Sequence, residues 1–179
     1  MGLALRPGRN KLFISYRAAD GKASAKKIHE CFERRGYEAW LDEANDFGGN
    51  PNLELGVDVQ KEIEARLEDA QALVLIDSPK ANESSWVRFE VETAVGKMIP
   101  IYPVVLHPKT EATSASRFRV LSGLHRRICI ASESDGEKMV FDNSELPNVV
   151  DNVEQYLMNV YRNRVVQPRA LEKLSLIHI

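Results

Sequence analysis

Short apolar runs and longer amphipathic ones alternate along this chain five times. Lys11-Leu12-Phe13-Ile14-Ser15 is nearly continuous in apolar character, which suits a strand buried on both faces. After the loop Tyr16–Gly21, a helix is predicted from about Lys22 to Arg35, with Ala25, Ile28, Cys31 and Phe32 on one face and Gly36 ending it. Tyr37–Leu41 reads as a second strand that stops at Asp42. The stretch Asp42–Gly56, with Gly48-Gly49-Asn50-Pro51-Asn52 inside it, is long for a loop, and long loops are functional or mobile. A helix over Val57–Asp69 turns Val59, Ile63, Leu67 and Ala70 inward. Ala72–Ile76 is the most apolar strand and belongs near the sheet centre, before Asp77-Ser78-Pro79 breaks it. Ile99–Val105 is a fourth strand, placed toward an edge by its two prolines. His107–Arg126 is irregular with one short helix, Arg127–Ile130 is a fifth strand, and Pro147–Arg164 is a last helix with Val149, Val150, Val153, Leu157, Val160 and Tyr161 on its apolar face.

Between the third and fourth strands lies the stretch around which the rest is organised. Ser84 or Ser85 caps a helix, because a serine oxygen accepts from a first-turn N–H. Val87, Val91, Ala94, Val95 and Met98 then recur at helical spacing as an apolar stripe. Trp86 and Glu90, four apart, share a face at the rim of that stripe, and Phe89 is expected to point nearly opposite it, toward solvent. On spacing alone, the pair reads as a half-buried tryptophan beside a solvated glutamate.

Strand–helix alternation predicts an α/β domain with a parallel sheet of about five strands and helices on both faces. In such folds ligands bind beyond the carboxyl ends of the strands. Ser15–Asp20, Asp42–Gly56, Ser78–Ser85 and the start of the Glu90 helix all fall there.

Composition narrows the function classes. The chain has 179 residues, 44% of them hydrophobic and 28% charged, with a net charge of −2 and both signs interspersed. Nucleic-acid modules usually carry a strong basic excess, so none is expected as a partner. Two cysteines, Cys31 and Cys129, form no disulfide framework and fit a reducing compartment. His29, His107, His125 and His178 lack metal-ligand spacing, so no metal site is expected. No run reaches the length of a membrane span, and the start of the chain shows no signal-peptide apolar region, so the expected location is cytoplasmic, without membrane contact. Gly48-Gly49 follows the second strand rather than the first and lacks a phosphate-cradle pattern, so it reads as a flexible turn. No Ser-His-Asp arrangement is evident. A phosphoacceptor domain of similar layout would cluster acids after the first strand, where this chain has Ser15-Tyr16.

Four boxes taken together carry a resemblance: Phe13-Ile14-Ser15-Tyr16-Arg17, Trp40-Leu41-Asp42, Ser78-Pro79, and Ser85-Trp86 followed by Glu90. In this order and spacing, the chain resembles a TIR (Toll/interleukin-1 receptor) domain from about Lys11 to Arg164. Residues 1–10 are then an N-terminal extension. Residues 165–179 are a tail without packing pattern, expected to be disordered or, in its last residues, an artefact. The resemblance implies a flavodoxin-like three-layer sandwich with a central parallel five-stranded sheet. It makes Asp42–Gly56 the family's mobile BB loop, longer and richer in Gly, Pro and Asn than usual.

Trp86 and Glu90 match the W-x-x-x-E pattern of the family's enzymatic branch, which implies Glu90 as the catalytic carboxylate. The implied activity is NAD+ glycohydrolase or ADP-ribosyl cyclase, releasing nicotinamide with ADP-ribose or a cyclic isomer, as in standalone bacterial antiphage effectors. NAD+ is then substrate, and no cofactor is implied. Tyr16 and Arg17 match the substrate-facing first loop; Ser78, Trp86 and Asp42 complete the expected substrate-binding set. Three of these have a plainer role beside the functional one: Arg17 as a solvated charge, Trp86 as packing between helix and sheet, Asp42 as a strand-end turn. The chemistry is consistent. Nicotinamide leaves from a cationic nitrogen, so no acid need protonate it, and one carboxylate can stabilise the oxocarbenium-like transition state. The implied partners are NAD+, other TIR domains by self-association, and a downstream effector that reads a nucleotide product. The alternative is a non-enzymatic TIR adaptor acting through TIR–TIR assembly.

Overall fold

The structure is a computed structural model, and it describes residues 11–41, 57–109, 116–122, 127–135 and 138–163. Residues 1–10, the Asp42–Gly56 segment and the 165–179 tail lie outside the described residues. The strands are β1 (Lys11–Tyr16), β2 (Glu38–Leu41), β3 (Ala72–Asp77), β4 (Ile101–Pro108), β5 (Ile128–Asp135) and β6 (Lys138–Phe141). The helices are α1 (Ala18–Arg34), α2 (Val57–Asp69), α3 (Ser85–Gly96) and α4 (Leu146–Tyr161). The sheet order is β2-β1-β3-β4-β5-β6, with β1 to β5 all parallel and β6 antiparallel to β5.

Strand alternation divides the core between the two faces. Leu12, Ile14 and Tyr16 of β1, Val74 and Ile76 of β3, and Val104 and Leu106 of β4 pack with α1 and α4. Phe13, Leu73, Leu75 and Ile101 face the other way, against α2 and α3. This is the expected three-layer arrangement.

The C-terminal ends of α1 and α3 use the same backbone device. At the end of α1, Gly36 has φ 85°, its N–H bonds Glu33 O, and the Tyr37 N–H bonds Phe32 O, so the last carbonyls are satisfied. At the end of α3 the same pair of bonds, Met98 N–H to Val95 O and Ile99 N–H to Ala94 O, is made with Met98 at φ 55°. A non-glycine residue there is strained.

Four sequence expectations are corrected. First, α1 begins at Ala18, not Lys22: the alanines favour helix, and Asp20 sits in the first turn. Second, β4 lies between β3 and β5 rather than toward an edge. Its prolines are accommodated because Pro100 directs its carbonyl to Leu73 of β3, so Pro103 faces the β5 side, where pairing begins only at Val104. Third, β6 was not anticipated, although Asp135-Gly136 ahead of an apolar run is a hairpin signal. β6 turns back against α1, where Ser24 Oγ and Lys27 Nζ donate to the carbonyls of Met139 and Phe141 and so occupy part of the open edge.

The fourth correction concerns α3. Its buried face holds Val87, Glu90, Val91 and Ala94, while Val95 is 40% exposed and Met98, already past the helix, 75%. Phe89 and Trp86 are half-buried against the α2–α3 core rather than one of them facing solvent. At about 100° per residue, these positions span an arc of about 200° centred near Glu90. α3 is covered by the sheet on one side and by α2 on the next, with Lys97 paired to Glu68 across that contact. Glu90 therefore occupies the middle of the covered face, not its rim.

Candidate functional site

At the carboxyl end of β1, strand alternation sends Ser15 to the same face as Phe13, toward α3. Ser84 caps α3 by accepting from the Val87 N–H at 3.4 Å, which fixes where the helix starts and hence which residues of its second turn face β1. Glu90 is one of them. Ser15 Oγ donates to Glu90 Oε2 at 2.5 Å, and both residues are fully buried. A carboxylate without solvent is costly unless hydrogen-bonded, so this contact joins the end of β1 to α3 through a polar group in an apolar setting. Trp86 stands one turn before Glu90, half-buried on the adjoining flank.

A second polar cluster lies beside the first. Asp20, 3% exposed, accepts from Ser78 Oγ at 2.8 Å and from the Lys80 N–H at 3.1 Å, and Arg17 Nη1 lies 3.3 Å from the same carboxylate. This ties the start of α1 to the β3–α3 turn. A third cluster closes the end of β3. Asp77 accepts from Ser116 Oγ at 2.7 Å and from the Arg117 N–H at 3.0 Å, while Arg117 also donates to the carbonyls of Asp77 and Leu106. Burial raises the Asp77 carboxyl above its ordinary 3.8, and the Ser116 and Arg117 contacts oppose that only in part.

Of the residues expected from sequence, Glu90 and Trp86 come together on α3, and Arg17 and Ser78 meet through Asp20. Ser78 is fully buried and its hydroxyl is committed to Asp20. Tyr16, expected to face substrate, is instead fully buried on the α1 face: the residue after Ser15 must point the other way. Asp42 lies outside the described residues. Trp40 of the second box packs on Phe13, ring centroids 4.7 Å apart, under the Arg66 guanidinium.

Sequence reasoning missed Ser15 and Asp20 as individual contributors. The signal for Ser15 was available, as a polar residue at the parity of Phe13 in an otherwise apolar strand. Asp20 had no such signal, because it acts across chain separations of about 60 residues. Among the described residues, no three His, Cys, Asp or Glu side chains group as a metal site, and no helix is long and apolar enough to cross a membrane.

A concavity of about 690 Å³ lies on the other flank of α3, lined by Arg88, Val91, Glu92, Arg117, Phe118 and Val120 among others. Arg88 and Glu92 lie on the helix face nearly opposite Glu90, so this groove is not where the carboxylate is presented.

The geometry can be set beside known proteins. No curated protein matches the chain. Among solved structures, it is similar to a metazoan TIR-STING receptor from C. gigas, a structure in complex with 2',3'-cGAMP, with a TM-score of 0.51 and 19% identity. The match covers 84% of this chain and 41% of that one, so the chain spans less than half of the receptor it resembles. That likeness shows the shared fold. The TIR domain family model matches residues 12–136, from the start of β1 through β5 and across every box that carried the resemblance. The chain belongs to the TIR domain family.

Proposed function

We propose that this TIR domain cleaves the bond between nicotinamide and ribose in NAD+, giving nicotinamide and ADP-ribose or a cyclic isomer. The observation that carries the reading is Glu90: a carboxylate fully buried at the centre of the covered face of α3, held by Ser15 Oγ at the carboxyl end of β1. A scaffold gains nothing from a desolvated carboxylate there, since an apolar residue of similar size would pack α3 at lower cost. In a low-dielectric setting, a fixed negative charge is well suited to stabilise positive charge developing on the ribose ring. The leaving group departs as neutral nicotinamide, so no general acid is needed. Ser15 fixes the carboxylate, Trp86 walls the adjoining flank, and Arg17 offers a cation to the pyrophosphate. Water or the adenine ring then takes the sugar carbon.

Burial also bears on control. In the isolated chain Glu90 is fully covered, so substrate reaches the carboxylate only after its surroundings open. The monomer is therefore expected to be weakly active, with assembly of TIR domains shifting the population toward an open, substrate-competent state. An antiphage or immune signalling role in the cytoplasm, with an effector that reads the nucleotide product, is the setting in which such control is useful.

Incubation of purified protein with NAD+ tests the reading, with nicotinamide and the nucleotide product followed over a range of protein concentrations. Nicotinamide release whose specific rate rises as oligomers form supports it. Assembly without nicotinamide release at any concentration establishes the adaptor instead.

A further inference from the structure

The Asp20 cluster does more than join two loops. Arg17 continues β1 in extended conformation (φ −88°, ψ 126°), so its side chain leaves the strand at the same parity as Phe13 and Ser15. That is the face on which Ser15 meets Glu90. One strand repeat, about 7 Å, separates Ser15 from Arg17, which brings a guanidinium on a long side chain within reach of the Glu90 carboxylate. The Arg17 ion pair is nevertheless with Asp20, whose carboxylate is itself seated by Ser78 Oγ and the Lys80 N–H. An arginine that pairs with a carboxylate holds it in its charged form and is held in place by it, while the remaining N–H donors of the guanidinium fork can still meet a second acceptor.

Building on the assignment of Glu90 above, we propose that Asp20 is a positioning residue: it holds Arg17 to its own side of the site, so that the guanidinium stays available to an anionic part of the substrate instead of pairing with Glu90. The carboxylate is suited to this task because it is buried and bonded by two donors from the β3–α3 turn, so its own place does not depend on Arg17. Among the described residues, the other ionisable groups on the elements around α3 are already engaged or outward. Asp77 is held by Arg117, Glu83 and the charges of α2 from Lys61 to Asp69 are exposed or only partly covered, His107 lies at the end of β4, and Arg88 and Glu92 leave α3 on its other flank.

The test follows the Glu90 carboxyl itself by carbon-13 NMR in protein labelled at glutamate, comparing wild type, Asp20→Asn, Arg17→Ala and the double variant. Asp20→Asn is expected to lower the Glu90 titration midpoint by about one pH unit as Arg17 swings across. In the Arg17→Ala background, the same substitution is expected to move it by less than half as much. That comparison separates release of Arg17 from the direct loss of a nearby negative charge. Steady-state kinetics should show KM for NAD+ rising several-fold in Asp20→Asn. An unmoved midpoint, or a shift of equal size with and without Arg17, overturns the proposal. Should Asp20→Asn fail to fold by melting curve, Ser78→Ala unseats Asp20 with every charge retained, and the same two outcomes decide at smaller amplitude. The NMR reading needs no turnover, so an absence of NAD+ cleavage would refute the proposed activity without touching it.

Discussion

Ser15→Ala removes one oxygen from the protein interior, and its consequences can be worked out from the Ser15–Glu90 contact. The hydroxyl donates to Glu90 Oε2 at 2.5 Å where neither residue meets solvent. A hydrogen bond to a charged group is worth about 1.5–3 kcal/mol, and one to a neutral group about 1. The difference, about 0.5–2 kcal/mol, is what Ser15 contributes to the charged form over the protonated one. At about 1.4 kcal/mol per pH unit, Ser15→Ala should raise the Glu90 midpoint by about half to one and a half units. The acid limb of the pH–rate profile for nicotinamide release should move up by the same amount, with the plateau rate at high pH falling as the carboxylate loses its anchor. The sign of the linked stability change follows. Ser15 stabilises the ionised carboxylate more than the protonated carboxyl, so its larger contribution to stability is present where Glu90 is ionised and shrinks as falling pH protonates it. Thermal unfolding of Ser15→Ala should therefore lie below wild type at neutral pH and approach it in acid. A pH–rate profile and a melting gap that both stay unchanged would show that the contact does not favour the ionised carboxylate.

Met98→Gly should stabilise the domain by about 1 kcal/mol, because Met98 sits at φ 55° after α3 with three-quarters of its surface exposed, so little packing is lost; a lower melting temperature would contradict the strain argument. Burial raises the Asp77 carboxyl above 3.8, so its protonated form favours the fold, and that stability is present below 3.8 and lost as pH rises through the folded value. Asparagine resembles the protonated carboxyl, so the melting temperature of Asp77→Asn should gain on that of wild type from acid toward neutral pH, and a wild type that gains on the variant as pH rises would reverse the assignment. Phe89→Ser should cost about 1–3 kcal/mol, since the ring is half-buried against the α2–α3 core; an unchanged melting temperature would restore a solvent-facing position.

How much of this was legible in the sequence depended on whether the signal was local. β1, β3 and the helices announced themselves through apolar period, and their parallel pairing followed from alternation. β4 misled because proline is read as an edge residue, whereas Pro103 is tolerated beside a strand that starts one residue later. α3 misled more. Val95 and Met98 extended an apparent stripe, but the helix ends before Met98, and α2 covers a flank that periodicity could not assign. That rotation placed Glu90 at the rim when it sits at the centre of the buried arc. Ser15–Glu90 spans 75 residues and Asp20–Ser78 spans 58, and pairings of that length leave no mark on local pattern. The motif found Glu90 and Trp86; Ser15 showed only as a polar residue in an apolar strand, and the fold supplied its partner and brought in Asp20.

The central claim is that Glu90 is a catalytic carboxylate and not a packing residue. Wild type and Glu90→Gln should be compared for nicotinamide release from NAD+ under conditions where the wild type is assembled and active, with circular dichroism confirming the fold of both. Glutamine keeps the shape and still accepts from Ser15, but carries no charge to meet an oxocarbenium-like ribose. Loss of nicotinamide release, by about two orders of magnitude or more, with the fold retained is the result this account predicts. Turnover near that of wild type in folded Glu90→Gln would contradict it.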